Sequence, residues 1–121
     1  MEIKRIPGKV HGPYSNIVIA NGFVFVSGQL PTNEDGQIRT MGIKEQTKQA
    51  IENIKEALEE INLSLANVVS VRVYLTNPDD FNSMNEVFSQ YFDKDLPARA
   101  TVIVSSLPKS AKIEIEVIAA L

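Results

Sequence analysis

The sequence of 121 residues contains no cysteine. Without thiols there is no disulfide framework, no thiolate metal site and no cysteine nucleophile. Long hydrophobic runs are also missing. No stretch of about 18 apolar residues is present to cross a bilayer, and the opening residues MEIKRIPGKVHGPY lack the apolar core of a signal peptide. A cytoplasmic protein without membrane contact is expected. Positive charge is in short supply: 12 Lys and Arg stand against 15 Asp and Glu, a net charge of −3. Nonspecific nucleic-acid affinity comes from basic side chains displacing counterions, so nucleic acid is not an expected partner. Lys4, Arg5 and Lys9 fall close together but read as a solvated terminal segment. The single histidine, His11, sits in an expected turn beside Gly12-Pro13 and reads as solvated, so no metal and no other cofactor is implied.

What is present is an ordinary globular composition, 44% apolar and 22% charged, in one domain spanning 1–121. Ile17 to Ala20 and Phe23 to Gly28 are β-branched and aromatic runs separated by Asn21-Gly22, the dipeptide most favoured in a two-residue hairpin turn. A short extra strand is expected at Ile3 to Arg5, and Gly12-Pro13 marks a turn. Ile43, Thr47, Ala50, Ile51, Ile54, Ala57, Leu58 and Ile61 recur at helical spacing and predict a long amphipathic helix. Val68 to Leu75 alternates Val69, Val71, Val73 and Leu75 against Ser70, Arg72 and Tyr74, as a strand with two unlike faces does.

Asn77-Pro78-Asp79-Asp80 has the chemistry of a helix start, with Phe81, Met84, Phe88, Tyr91 and Phe92 as the buried stripe of the helix that follows. Leu96-Pro97 ends it, and two strands follow, Arg99 to Val104 and Ile113 to Ala120. The order ββαβαββ predicts an α+β layer: a mixed sheet with both helices packed on one face.

Those last strands carry charge. Alternation places Ala98, Ala100, Val102 and Val104 on one face and Arg99, Thr101 and Ile103 on the other. In the final strand Ile113, Ile115, Val117 and Ala119 separate from Glu114, Glu116, Ile118 and Ala120. The helices are expected to cover the first set in each strand. The remaining face, with Phe23 and Phe25 or Val24 and Val26 of the early strand, is too apolar for water and predicts a closed homo-oligomer. If the last two strands form a hairpin about Leu107 and Pro108, Arg99 opposes Ile118, and at about 3.3 Å per residue it cannot touch Glu114 within one chain. On the residues alone two roles for Arg99 stay open: an interface ion pair, or a group that meets Glu114 through a neighbouring subunit or a substrate.

GPYS (Gly12 to Ser15), FVSGQLP (Phe25 to Pro31), PARATV (Pro97 to Val102) and LPKSAKIEIEVIA (Leu107 to Ala119) together resemble the Rid family of reactive intermediate deaminases, also called the YjgF family. The resemblance runs in order over essentially the whole chain. It implies a chorismate-mutase-like fold and a homotrimer with its sheets facing inward and sites between subunits. It also implies hydrolysis of enamine and imine intermediates such as 2-aminoacrylate to 2-keto acids and ammonia, so small 2-imino acids are the implied partners.

By that resemblance Arg99 matches the substrate-binding arginine, whose fork can clamp a carboxylate through two charge-assisted hydrogen bonds. Glu114 matches the active-site glutamate and would hold the attacking water. Tyr14 matches a tyrosine lining the cleft, while Ser27, Gly28 and Asn85 are carried over as pocket lining. Thr101 stands where many members have cysteine, which removes any required thiol. Glu116 is read as structural or interfacial. Two other functions remain open: a ligand-binding or regulatory trimer without turnover, and ribonuclease or translation-inhibitor activity, for which one histidine and a net negative charge are poor equipment.

Overall fold

The structure is a computed structural model and describes residues 2–121. Six strands, β1 (Ile3–Ile6), β2 (Ile17–Ala20), β3 (Phe23–Gln29), β4 (Val68–Leu75), β5 (Ala98–Ile103) and β6 (Ile113–Ala120), form one sheet in the order β1-β2-β3-β6-β4-β5. Two helices, α1 (Ile43–Glu59) and α2 (Phe81–Tyr91), carry the chain between strands. The α+β layer expected from the sequence is present.

Local chemistry explains the elements. Asn21 and Gly22 adopt φ of 52° and 82°, the left-handed pair that a two-residue hairpin turn needs, and β2 and β3 pair antiparallel across them. The apolar stripe of α1 is buried at Thr47, Ala50, Ile51, Ile54, Ala57 and Leu58, against Val24, Val26, Val71, Val73, Ile113, Ile115 and Val117 of the sheet. Ile115 lies at the centre of β6 and is 1% exposed, so Ile115→Ala should cost about 2–5 kcal/mol of unfolding free energy in denaturant titration. At the Asn77 start, residues 78–80 form a single tight 3₁₀ turn capped by the Asn77 side chain, and α2 itself begins at Phe81. Tyr91 closes the gap between helices by donating its hydroxyl to Glu52 at 2.8 Å; burial, then Glu52, pushes its pKa up to about 12.

Three expectations are corrected. First, β5 and β6 are not a hairpin: β5 pairs parallel with β4, and β6 lies between β3 and β4, antiparallel to both. The segment from β4 through α2 to β5 is a crossover, and parallel neighbours require one. Second, this pairing sets Arg99 opposite Val71 and Thr101 opposite Val73, whose side chains face the helices. Paired residues share a face, so Arg99, Thr101 and Ile103 belong to the helix side, and Ala98, Ala100 and Val102 to the open side. Third, the register of β4 with β6 shifts between Val68 and Ser70, which buries Val68 and leaves Val69 45% exposed.

The assignment of β6 holds, with Ile113, Ile115, Val117 and Ala119 all buried. The open face of the sheet carries Ile3, Phe23, Phe25 and Val102, each at least 41% exposed.

Candidate active site

Two clusters emerge from these strands. In the first, Arg99 leaves β5 toward α2. Its guanidinium carbon stands 4.8 Å from the centre of the Phe88 ring and 5.8 Å from that of Phe81, and Nη1 is 3.9 Å from the Met84 sulfur. Cation–π contact holds the plane of the fork while leaving its donors uncommitted to oxygen. Among the described residues no carboxylate lies within ion-pair distance of it. Burial pulls its pKa below the usual arginine value, as expected where an unpaired charge is partly desolvated. Beside it lies a cavity of about 310 Å³ lined by Asn85, Phe88, Ser89, Phe92, Leu96, Pro97 and Arg99. Asn85 of α2 thus joins Arg99, and Thr101 shares Arg99's side of β5.

The second cluster is on the open face. From Val26 to Gln29, β3 uses one residue more than β6 does from Val117 to Ile115, a bulge at Ser27 and Gly28. Ser27 ties the bulge to the N-terminal loop: its hydroxyl donates to the Ser15 carbonyl at 2.6 Å and its amide to the Asn16 carbonyl at 2.9 Å. Gln29 adds a bond from Nε2 to Asn16 Oδ1 at 3.0 Å. These bonds anchor the GPYS loop that bears Tyr14, whose hydroxyl accepts from the His11 amide at 3.3 Å and which remains 46% exposed.

Gly28 faces Glu114 so closely that a Cβ there would overlap the Glu114 carboxylate, with Cγ at 3.3 Å. Burial, and secondarily the charge of Glu116, hold the Glu114 carboxyl above the usual glutamate range. A group so placed exchanges protons nearer neutrality than a solvated glutamate does.

Within one chain the clusters do not meet. Glu114 lies in the row of Tyr74 and Val102, whereas Arg99 lies in the row of Val71 and Val117. That is three residues along and two strands across, about 14 Å from strand spacings alone, with the side chains on opposite faces.

The sequence reading missed the aromatic support of Arg99 by Phe81 and Phe88, the buried Gln46 that accepts from the Lys112 amide at 2.9 Å ahead of β6, and the pairing of Tyr74 with Glu116. The first had a signal: strand, helix, strand between Val68 and Ile103 is a crossover pattern, which makes β4 and β5 parallel and turns Arg99 toward α2.

These features define a two-layer α+β protein in which an arginine borders a cavity of small-molecule size. The chain belongs to the Rid, or YjgF, family: the family model described as Endoribonuclease L-PSP matches residues 4–121. It is 53% identical over 109 residues to a RutC family protein of Pyrococcus abyssi, covering 89% of this chain and 86% of that one. It is 40% identical over 116 residues to human 2-iminobutanoate/2-iminopropanoate deaminase, covering 95% and 84% of the two chains. The crystal structure of E. coli TdcF with bound serine superposes with a TM-score of 0.87 at 36% identity, covering 97% of this chain and 94% of that one. Among the described residues no helix is long and apolar enough to cross a membrane.

Proposed function

We propose that this protein is a 2-iminobutanoate/2-iminopropanoate deaminase, acting as a homotrimer in which Arg99 of one subunit and Glu114 of the next face a shared cleft. The observation that carries the reading is the arginine: its fork is braced on aromatic rings beside a small, largely apolar cavity, with no carboxylate among the described residues paired to it. A 2-imino acid supplies that carboxylate and a short apolar side chain. The separation of Arg99 from Glu114 within a chain and the apolar open face both favour completion of the site by a second copy. The human relative carries the deaminase name, and TdcF was solved with serine, which offers the same carboxylate and an α-nitrogen.

In the reaction 2-aminoacrylate, once tautomerised to the imine, is bound through its carboxylate by Arg99. Glu114 takes a proton from water as the oxygen bonds to the imine carbon, while the imine nitrogen takes a proton from solvent, which the last step returns, giving a carbinolamine. Glu114 then returns its proton to the nitrogen, the C–N bond breaks, ammonia leaves, and the hydroxyl loses a proton to become the keto oxygen. Tyr14, Asn85 and Thr101 line the cleft, and Ser27 and Gly28 set the position of Glu114.

The test is to generate 2-aminoacrylate from serine with a dehydratase and follow imine loss with ammonia and pyruvate release. Accelerated hydrolysis supports the reading; binding of carboxylates without turnover would instead indicate a ligand-binding protein. Gly28→Ala gives a second check. The added Cβ displaces the end of a flexible glutamate rather than backbone, so the fold should persist while kcat/KM falls by about tenfold or more, because small misplacements of a reacting group are costly. Circular dichroism alongside initial rates measures both.

A further inference from the structure

The open face of β4 and β6 holds a group of side chains that the reaction above leaves unused. Arg72 is the register partner of Glu116, and Tyr74 is the register partner of Glu114. Tyr74 does not keep to its own row: its hydroxyl leans along the face and donates to Glu116 Oε1 at 2.5 Å. Arg72 Nη1 approaches the same oxygen at 3.6 Å. A glutamate on an open sheet face ordinarily samples many rotamers. Here the Tyr74 hydroxyl holds one oxygen by a hydrogen bond, and Arg72 adds a longer charge pair to the same atom.

Glu116 lies two residues beyond Glu114 on the same face, about 7 Å along the strand. The group that shares this strand face with Glu114 is Glu116; on β4 Tyr74 is opposite Glu114 and Arg72 opposite Glu116, and on β3 Gly28 lies against the Glu114 carboxylate. In the proposed trimer Arg99 of the neighbouring subunit also faces Glu114, and within the chain the charge that acts on it is that of Glu116. Its repulsion adds to burial in favouring the protonated carboxyl.

We propose that Glu116, fixed by Tyr74 and Arg72, is a positioning residue for Glu114: its locked negative charge lets Glu114 retain the water-derived proton until the nitrogen takes it. This rests on the reading of Glu114 as the proton carrier. A Glu116 that only joined β4 to β6 would affect stability and leave the titration of Glu114 where it was.

Glu116→Gln removes the charge but keeps an oxygen for the Tyr74 hydroxyl, and Tyr74→Phe removes the hydroxyl but keeps the ring. The readouts are the pH profile of kcat/KM for 2-iminopropanoate and the titration of the Glu114 carboxyl carbon by NMR on the intact protein, its resonance identified by its loss in Glu114→Gln. Glu116→Gln should move both the acid limb and the carboxyl midpoint to lower pH. Tyr74→Phe should move them the same way by less, because the released carboxylate turns toward Arg72 and solvent; it also serves if the glutamine variant does not fold. Hydrolysis with unmoved midpoints overturns this role alone, whereas absence of hydrolysis in the unaltered protein overturns the deaminase reading and this role with it.

Discussion

Arg99→Ala should lower kcat/KM for 2-iminopropanoate by about 10²–10⁴, since two charge-assisted hydrogen bonds to a carboxylate, at about 1.5–3 kcal/mol each, are lost together. Most of the loss should fall on substrate capture, because the carboxylate is held in ground and transition states alike. Stability should change little. Arg99 lies on the edge strand β5, and its packing on Phe88 and Phe81 is worth about 0.5–1 kcal/mol. Arg99→Lys keeps the charge but presents a point donor in place of a fork, and should recover only a small part of the activity. Steady-state rates together with thermal melts separate these effects. A variant that melts normally and turns over normally would remove Arg99 from the site.

Glu114→Gln should lose about 10²–10⁴ in kcat, the usual contribution of a positioned acid–base group, while making the protein more stable at neutral pH. The second effect follows from the raised pKa of Glu114, caused first by burial and then by Glu116. A carboxyl whose value is higher in the folded state favours folding least when ionised. Its penalty is therefore fully present above the folded value and disappears as pH falls below the unfolded value of a glutamate, about 4.3. The glutamine variant should accordingly melt higher than the unaltered protein at pH 7 to 8, with the difference shrinking toward pH 4. A gain independent of pH would point to packing rather than to charge.

The parts of this site that were legible in the sequence are those that depend on near neighbours. Asn21-Gly22 specifies a turn because its backbone can enter the left-handed region, and β2 and β3 pair across it. The spacing of Ile51, Ile54 and Leu58 marks a buried helix face because side chains three and four apart lie together. Within β6, alternation separates Glu114 and Glu116 from Ile113 and Ile115, and burial follows it residue by residue. The motifs around Tyr14, Ser27, Arg99 and Glu114 indicated the family on the same local terms.

Arg99 shows where this stops. Alternation says only that Arg99 and Ala98 face opposite ways; it does not say which way is inward. That depends on the neighbouring strand, and the choice between a β5–β6 hairpin and a β4–α2–β5 crossover reverses it. Tyr74 and Glu116 are likewise 42 residues apart in sequence and meet only because β6 inserts beside β4. The sequence by itself determined the elements, the inner face of β6 and the family. Tertiary structure alone decided the face of Arg99, the closeness of Gly28 to Glu114 and the Tyr74–Glu116–Arg72 group, because strand order and register arise from burying the whole sheet at once, and no local period encodes them.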